Sequence, residues 1–271
     1  MTTTTMLRIG AVNYLNTKPL VFGLDQLAPH AQVVYDLPSR LADRLAEGEL
    51  DVALIPSFEL FSRPDYQVVS DACIGCRGPV LSVKLFSRVP VTAIRSLATD
   101  EGSRTSAVLL QILLAEQFDV HPQIVPLPIG SGLNDVTADA ALLIGDRAIH
   151  SPDGRFETVW DLGDQWYRWT GLPFVFALWA GRSEADLGDL DTALAAARDL
   201  GVANLEQIAA TEAAPLGLTG PQCLDYLRDN LNFFLGPQQQ QGLGRFYQYA
   251  TRWKLAPPGL TMNLADHRPI G

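Results

Sequence analysis

The chain has 271 residues, of which 47% are hydrophobic and 18% are charged, a composition typical of a globular protein and not of a disordered one. Its formal net charge of −10 argues against a nucleic-acid partner, because binding to a duplex requires a positive surface. The charge does not exclude an acidic small ligand, because helix N-termini and hydroxyl groups can form a local anion site.

Neither a membrane-spanning helix nor a secretion signal is predicted. The sequence contains no apolar run of about 18 residues, and the N-terminal stretch MTTTTMLRIG lacks the basic and apolar regions of a signal peptide. The odd number of cysteines suits a reducing cytosol. Cys73 and Cys76 form one C-x-x-C pair, but no second pair completes a zinc site, so we assign the pair no function and expect no metal. We therefore expect a cytoplasmic protein with no membrane partner.

The first predicted element is a buried strand that ends in a polar turn. The stretch LRIGAV (residues 7–12) is mainly apolar, and Asn16 and Thr17 then supply turn and cap chemistry before Pro19 opens a helix. In an open α/β sheet, ligands bind at the carboxyl ends of the strands. The Asn16 carboxamide, which both donates and accepts hydrogen bonds, is therefore a candidate ligand contact; capping of the helix is the alternative role.

A second strand with a polar end follows. A short strand (residues 33–37) and an amphipathic helix (residues 39–48) precede the apolar strand DVALIP (residues 51–56), which stops at Ser57. Ser57 either caps the next helix or offers its hydroxyl to a ligand. Glu59 is a candidate carboxylate for acid–base chemistry, although a glutamate in a first helical turn also favours the helix dipole.

Two long strand-like segments bracket the middle of the chain. Residues 78–87 alternate in polarity, with Ser82 on one face, and a second apolar run follows at residues 172–180. The residues between them form a self-contained set of helices and strands. This arrangement predicts a chain that crosses from one lobe to another and later returns.

The start of a helix in this middle block is a candidate anion site. Ser103 is placed as the N-cap, which leaves the backbone amides of Arg104, Thr105 and Ser106 without intrahelical partners. Three hydroxyl groups and an arginine at a helix start can bind a carboxylate. A plain helix cap is the alternative interpretation.

A fourth polar strand end follows residues 138–145. The strand ends at Gly145 and Asp146, where the carboxylate either orients a hydroxyl-bearing ligand or starts the next turn. The nearby Gly130-Ser131-Gly132 lacks the third glycine of a dinucleotide-binding loop.

The four histidines have no metal-ligand spacing and are interpreted as structural or exposed. From Ser183 onward, the patterns predict helices only.

Four polar strand ends and a bracketed middle block predict a two-lobed clamp with a ligand in its cleft. We place lobe 1 at residues 1–86 and 178–271, and lobe 2 at residues 87–177. Such clamps serve as transport receptors, as sensor domains of regulators or as enzymes. No secretion signal and no helix-turn-helix is found in the sequence, and so an enzyme is the favoured class.

Several segments, in the same order, resemble the chorismate dehydratases of the futalosine route of menaquinone biosynthesis. They are RIGAVNYLNTKPL (residues 8–20), GELDVALIPS (48–57), GPVLSVKLFS (78–87), SRTSAVLLQILL (103–114), LLIGD (142–146) and DLGDQWYRWTGLPFVFALWA (161–180). The chain departs from the family at Asn13, where serine is more usual, and at residues 149–156. A sister enzyme of the same route, dihydroxynaphthoate synthase, shares the fold, but its segments match less well.

This resemblance implies an α/β fold similar to type II periplasmic binding proteins, with a helical C-terminal segment. It implies the loss of water from chorismate to give 3-[(1-carboxyvinyl)oxy]benzoate, without a metal or an organic cofactor. We expect Asn16 and Ser82 to hold the reacting groups in register, while the enolpyruvyl carboxylate of the substrate acts as the base. The predicted substrate-binding residues are Ser57, Ser103, Arg104, Thr105, Ser106, Gly145 and Asp146. The alternatives are an enzyme like dihydroxynaphthoate synthase and a non-catalytic clamp that binds a small cyclic carboxylic acid.

Overall fold

The computed structural model describes residues 6–150 and 154–260. Its strands are β1 (Leu7–Val12), β2 (Ala31–Asp36), β3 (Val52–Pro56), β4 (Tyr66–Cys76), β5 (Val83–Ser87), β6 (Ser96–Asp100), β7 (Gln123–Leu127), β8 (Ala140–Ile144), β9 (Thr158–Asp161), β10 (Phe174–Arg182) and β11 (Asn232–Phe234). Its α-helices are α1 (Leu24–Leu27), α2 (Pro38–Ala46), α3 (Arg104–Phe118), α4 (Asp146–Ile149), α5 (Leu162–Thr170), α6 (Leu190–Ala203), α7 (Leu205–Glu212), α8 (Gly220–Asp225) and α9 (Pro237–Arg252). Short 3₁₀ helices lie at Leu15–Val21, Ser57–Phe61, Val91–Ala93 and Ala214–Leu216, and a π-helical turn lies at Tyr226–Asn230.

The strands form two mixed sheets. The first sheet has the order β11-β4-β10-β3-β1-β2, and the second has the order β7-β6-β8-β5-β9. In the first, β1 is parallel to β2 and β3, whereas β10 is antiparallel to β3 and β4. In the second, β6 is parallel to β7 and β8, and β5 is antiparallel to β8 and β9. All residues of the central strands β3 and β8 are buried, which explains their uninterrupted apolar sequences.

The chain passes between the two sheets twice. It leaves the first sheet after β4 and enters the second at β5, and it returns between β9 and β10. The predicted α/β class and the two crossings are therefore observed. Because β5 belongs to the second sheet and β10 to the first, we propose that the lobes change within residues 77–82 and 162–173. These positions lie earlier in the chain than the predicted boundaries at 86/87 and 177/178.

The C-terminal segment is less purely helical than predicted. Strand β11 pairs antiparallel with β4 at the edge of the first sheet, which corrects the prediction of helices only. The pairing is long-range, and a three-residue strand has no local periodicity to reveal it.

Helix α9 packs its Phe246 ring among Trp166, Phe174 and Phe61, with ring centroids 5.1–6.4 Å from that of Phe246. The segment is therefore part of the main core.

The three cysteines are buried, and the described histidines lie apart from the candidate site residues. Cys73, Cys76 and Cys223 are free and buried, and burial raises the pKa of each thiol above its ordinary value, so they stay protonated and unreactive at neutral pH. His121 and His150 are exposed, with Asp119 Oδ1 and the Leu216 carbonyl as their respective partners. His30 is half-buried and contacts Asp189. The remaining histidine, His267, lies outside the described residues, as do residues 151–153 of the segment that departs from the resembled family.

None of the helices in residues 6–150 and 154–260 has the length and apolar character needed to cross a membrane. The same residues contain no cluster of three or more His, Cys, Asp or Glu side chains placed to hold a metal ion.

Candidate functional site

A cleft opens where the carboxyl ends of β1, β3 and β8 meet the N-terminus of α3. It contains about 520 Å³ of empty space, a figure that includes open solvent at its mouth. Seven of the nine predicted site residues line it: Asn16, Ser82, Ser103, Arg104, Thr105, Ser106 and Gly145. Ser57 and Asp146 are not among the lining residues. The polar strand ends predicted from the sequence thus converge on one space.

Asn16 lies in the first turn after β1, in the 3₁₀ helix Leu15–Val21. The N-cap of this helix is Tyr14, and no side chain makes a capping hydrogen bond there. The Asn16 Oδ1 atom accepts a long hydrogen bond, of 3.4 Å, from the Thr17 hydroxyl. The capping alternative for Asn16 therefore has no support in the geometry, and its carboxamide forms part of the cleft wall.

Ser82 is presented by a strained turn and not by the strand itself, because β5 begins one residue later. Leu81 has a φ of +60°, and the Ser82 N–H donates to the Val80 carbonyl at 2.7 Å. The Asp161 carboxylate holds this turn by accepting from the N–H groups of Val80 at 2.9 Å and Leu81 at 2.6 Å. Burial raises the pKa of Asp161, and these N–H groups oppose the rise. A left-handed leucine persists only where its surroundings enforce it, so the position of Ser82 is well defined.

The first turn of α3 forms the opposite wall. Ser103 is the N-cap residue, but its hydroxyl makes no capping hydrogen bond. Ser103, Thr105 and Ser106 are buried, and the first intrahelical N–H bond in this turn is that of Ala107, which donates to the Ser103 carbonyl. The preceding amides of the turn have no intrahelical partner, and the N-terminus of a 15-residue helix favours an anion.

Arg104 lines the cleft, but its guanidinium is already paired with two carboxylates. Its guanidinium donates to Glu59 Oε1 at 3.1 Å and to Asp43 Oδ1 at 2.6 Å, so two carboxylates neutralise it. Burial raises the pKa of Glu59, and Arg104 lowers it. Glu59, the candidate for acid–base chemistry, is engaged in this ion pair and does not line the cleft. The contacts join α3 of the second lobe to α2 and the 3₁₀ helix Ser57–Phe61 of the first.

Ser57 and Asp146 have structural partners behind the cleft wall. The fully buried Ser57 hydroxyl donates to the Val175 carbonyl at 2.7 Å. The Asp146 carboxylate accepts from the Leu15 N–H at 3.1 and 3.3 Å, across the two lobes. Burial raises the pKa of Asp146, and the Leu15 N–H lowers it. These bonds hold the frame around the cleft, and ligand contact by either residue remains a prediction.

Gly145 is required by a close approach of Tyr14. Gly145 has a φ of +71° and a ψ of −160°, a conformation almost restricted to glycine. A Cβ atom there would lie 2.9 Å from the Tyr14 ring. Tyr14 itself lines the cleft, and burial, assisted by the Asp100 carboxylate, raises its pKa to about 12. Tyr14 belongs to the polar turn that the sequence predicts after β1, and this position could have indicated it as a site residue.

The electrostatic character of the wall follows from these partners. Among the described residues that line the cleft there is no Asp, Glu or His, and Arg104 is already paired. Hydroxyl groups, a carboxamide and backbone amides remain. Such groups bind and orient an anionic ligand, but they do not exchange protons near neutral pH.

Solved structures that are similar to this chain share its two-lobed fold. A protein of Archaeoglobus fulgidus has a TM-score of 0.76 at 16% identity, covering 94% of this chain and 100% of that one. The periplasmic aliphatic sulphonate binding protein of Escherichia coli has a TM-score of 0.59 at 16% identity, covering 94% of each chain. At these identities the likeness shows the fold alone, which is that of the periplasmic binding proteins.

Sequence comparisons match almost the same part of the chain as the structural comparisons do. A protein family described as menaquinone biosynthesis matches residues 7–252. A chorismate dehydratase of Thermus thermophilus is 32% identical over 257 residues, which cover 88% of this chain and 93% of that protein. The resemblance found in the sequence is thereby confirmed, and the chain belongs to the menaquinone-biosynthesis family.

Proposed function

We propose that this chain is a chorismate dehydratase, a carbon–oxygen lyase that converts chorismate to 3-[(1-carboxyvinyl)oxy]benzoate and water in menaquinone biosynthesis. The observation that carries the proposal is the convergence of seven expected site residues on one cleft between the lobes. The relative of that name, 32% identical along nearly its whole length, supports the same activity.

The cleft wall suits a dicarboxylate substrate. The start of α3 supplies backbone amides and the hydroxyls of Ser103, Thr105 and Ser106 for one carboxylate. Asn16 and Ser82 lie on other parts of the wall, where a carboxamide and a hydroxyl can hold the ring hydroxyl group. Fixing the ring in this way aligns the proton and the leaving group for elimination.

The elimination needs little acid–base chemistry from the protein. The ring proton passes to the enolpyruvyl carboxylate of the substrate, the C–H electron pair enters the ring, and the C–O bond to the neighbouring hydroxyl breaks. In the balance of the step, the proton taken up by the enolpyruvyl carboxylate leaves with the departing hydroxide as water, and the carboxylate is regenerated. Aromatisation provides the driving force, and the step is redox-neutral, so the proposal includes neither a metal nor an organic cofactor. A wall without a titrating base near neutral pH supports this assignment.

The proposed place of the reaction is the cytoplasm. Three free buried cysteines suit a reducing compartment. The proposed partner is chorismate, with no nucleic acid, in keeping with the net charge of −10.

The test is incubation of the purified protein with chorismate, followed by chromatography of the products. We expect 3-[(1-carboxyvinyl)oxy]benzoate to form well above a buffer control and well above a matched Asn16→Ala sample. Chorismate that binds, as measured by calorimetry, but is not turned over would instead identify a non-catalytic clamp and refute the enzyme.

A further inference from the structure

Tyr226 is a fully buried side chain of the C-terminal segment that carries a polar hydroxyl. It is 1% exposed, and its hydroxyl is one of the buried polar atoms that have no hydrogen-bond partner in residues 6–150 and 154–260. It begins the π-helical turn Tyr226–Asn230, and such turns often occur at functional sites. No motif in the sequence of this segment indicates a function.

The polar neighbours of this hydroxyl are the two residues expected to hold the reacting groups. Burial raises the pKa of Tyr226 well above its ordinary value, and the side chains of Ser82 and Asn16 lie near enough to the hydroxyl to oppose this rise, although neither makes a hydrogen bond of normal geometry to it. A second contact ties the same turn to the segment that presents Ser82, because the Asn230 Nδ2 atom donates to the Pro79 carbonyl at 3.0 Å. Tyr226 thus lies behind Asn16 and Ser82, and it is not among the residues that line the cleft.

An unsatisfied buried hydroxyl needs an explanation. Removing such a group from water without a partner is unfavourable, and native proteins keep few of them. A phenol hydroxyl can donate one hydrogen bond and accept another, so hydrogen bonds with Asn16 and Ser82 would satisfy it from both sides at once. Both side chains would then have a defined orientation toward the cleft.

We propose that Tyr226 is a positioning residue whose hydroxyl hydrogen-bonds to Asn16 and Ser82 when the cleft is occupied and fixes the orientation of both. It acts through these two side chains and does not touch the substrate. The role rests on the proposed function, in which Asn16 and Ser82 hold the reacting ring.

The first test compares Tyr226→Phe with Tyr66→Phe, a control tyrosine in β4 that is also buried and does not line the cleft. Loss of one positioning hydrogen bond should lower kcat for chorismate by about tenfold or more. The KM should change little, because the carboxylate-binding groups at α3 are intact. The melting temperature should stay the same or rise, since only an unpaired hydroxyl is removed. Tyr66→Phe should leave kcat and KM unchanged. An unchanged kcat in Tyr226→Phe would overturn the proposal.

The second test asks whether Tyr226 acts through its neighbours. In a background that already carries Asn16→Ala and Ser82→Ala, adding Tyr226→Phe should lower the residual kcat no further, because residues that act as a unit are non-additive. A full additional loss would show that Tyr226 acts by another route and would overturn the proposal.

A third measurement does not depend on turnover. The side-chain amide NMR signals of Asn16, identified by their loss in Asn16→Ala, should shift in Tyr226→Phe and not in Tyr66→Phe when a saturating ligand, chorismate or its benzoate product, is present. Unshifted signals would overturn the positioning role. If the unsubstituted protein does not turn over chorismate, the proposed function fails, and the amide signals still decide the role of Tyr226.

Discussion

Asn16 and Ser106 are both polar side chains, but their different surroundings predict different roles for them. Asn16 lies in a short 3₁₀ helix whose N-cap is another residue, and its carboxamide has one long intramolecular hydrogen bond. Ser106 lies in the first turn of α3, beside amides that have no intrahelical partner. We therefore expect Asn16 to act on the reacting ring and Ser106 to act on substrate binding.

Asn16→Ala should lower kcat and kcat/KM together, by about a hundredfold if the carboxamide acts like an oxyanion-type donor. Because the side chain makes no capping bond, the loss of about 1 kcal/mol expected for a removed helix cap should not appear. Steady-state kinetics and thermal melts on the same sample measure both. A destabilised variant with full turnover would remove Asn16 from the site.

Ser106→Ala should chiefly raise KM. The loss of one hydrogen bond from a neutral donor to a charged group corresponds to about 1.5–3 kcal/mol of substrate binding. The kcat should change much less, since the ring-holding residues are unaffected. A large fall in kcat at unchanged KM would show that this serine belongs with Asn16 and not with the carboxylate site.

At the scale of secondary-structure elements, the turn between residues 77 and 82 depends on β9 and α5. Asp161 ends β9 and is the N-cap of α5, and its carboxylate accepts from three backbone N–H groups, those of Val80, Leu81 and Asp164. One carboxylate therefore starts a helix and also holds the left-handed Leu81 that precedes Ser82.

Asp161→Ala should lower the free energy of unfolding by about 1–3 kcal/mol, because it removes a helix cap and leaves N–H groups of the turn unpaired. It should also lower kcat, because Ser82 loses its fixed position. Asp164→Ala on the same helix is the control, since it removes an exposed pair with Arg168, worth about 0.5 kcal/mol or less. Denaturant unfolding and kinetics distinguish the two effects. A normal kcat in a destabilised Asp161→Ala would show that the turn keeps its shape without the carboxylate.

At the scale of the whole molecule, several contacts hold the two lobes together around the cleft. The Leu15 N–H donates to Asp146, the Phe58 N–H donates to the Thr105 hydroxyl at 3.1 Å, and Arg104 joins Glu59 and Asp43. Each contact joins a residue of the first lobe to one of the second. The two lobes are therefore held together by bonds that the ligand does not make.

The shifted pKa of Asp146 predicts that the free energy of unfolding depends on pH. Its pKa in the folded protein is raised above the ordinary value of 3.8, so the folded state binds a proton more readily than the unfolded chain. The stability that comes from this group is present below pH 3.8 and is lost as the pH rises through the raised folded pKa.

Asp146→Asn keeps an oxygen acceptor for the Leu15 N–H but removes the buried charge. We expect it to melt at least as high as the unsubstituted protein near neutral pH, with a difference that shrinks as the pH falls below the ordinary carboxyl range. Asp146→Ala leaves that N–H unpaired and should lose about 1–3 kcal/mol of stability. A thermal-melt series over pH measures all three proteins. A difference that grows toward low pH would contradict the raised pKa.

The sequence by itself determined the elements that carry the site. Apolar runs, a helix start at Ser103 and the polar ends near Asn16 and Gly145 are local patterns, because they reflect the alternation of side chains along a strand and the unpaired amides of a helix start. Their convergence could also be predicted, since the carboxyl ends of strands in an α/β sheet face a common cleft. The family resemblance added Ser82, for which no local pattern indicated a position in the wall.

Only the tertiary structure decided which polar side chains face the cleft and which are used to build it. Ser57 and Asp146 end strands just as Asn16 follows one, but Val175 and Leu15, distant in sequence, engage them. Arg104 is neutralised by Asp43 and Glu59, 61 and 45 residues away. Tyr226 lies near Asn16 and Ser82, although the sequence predicts only a helix for its segment. These contacts depend on how elements distant in sequence pack against one another. The local spacing of residues in the sequence does not reveal that packing.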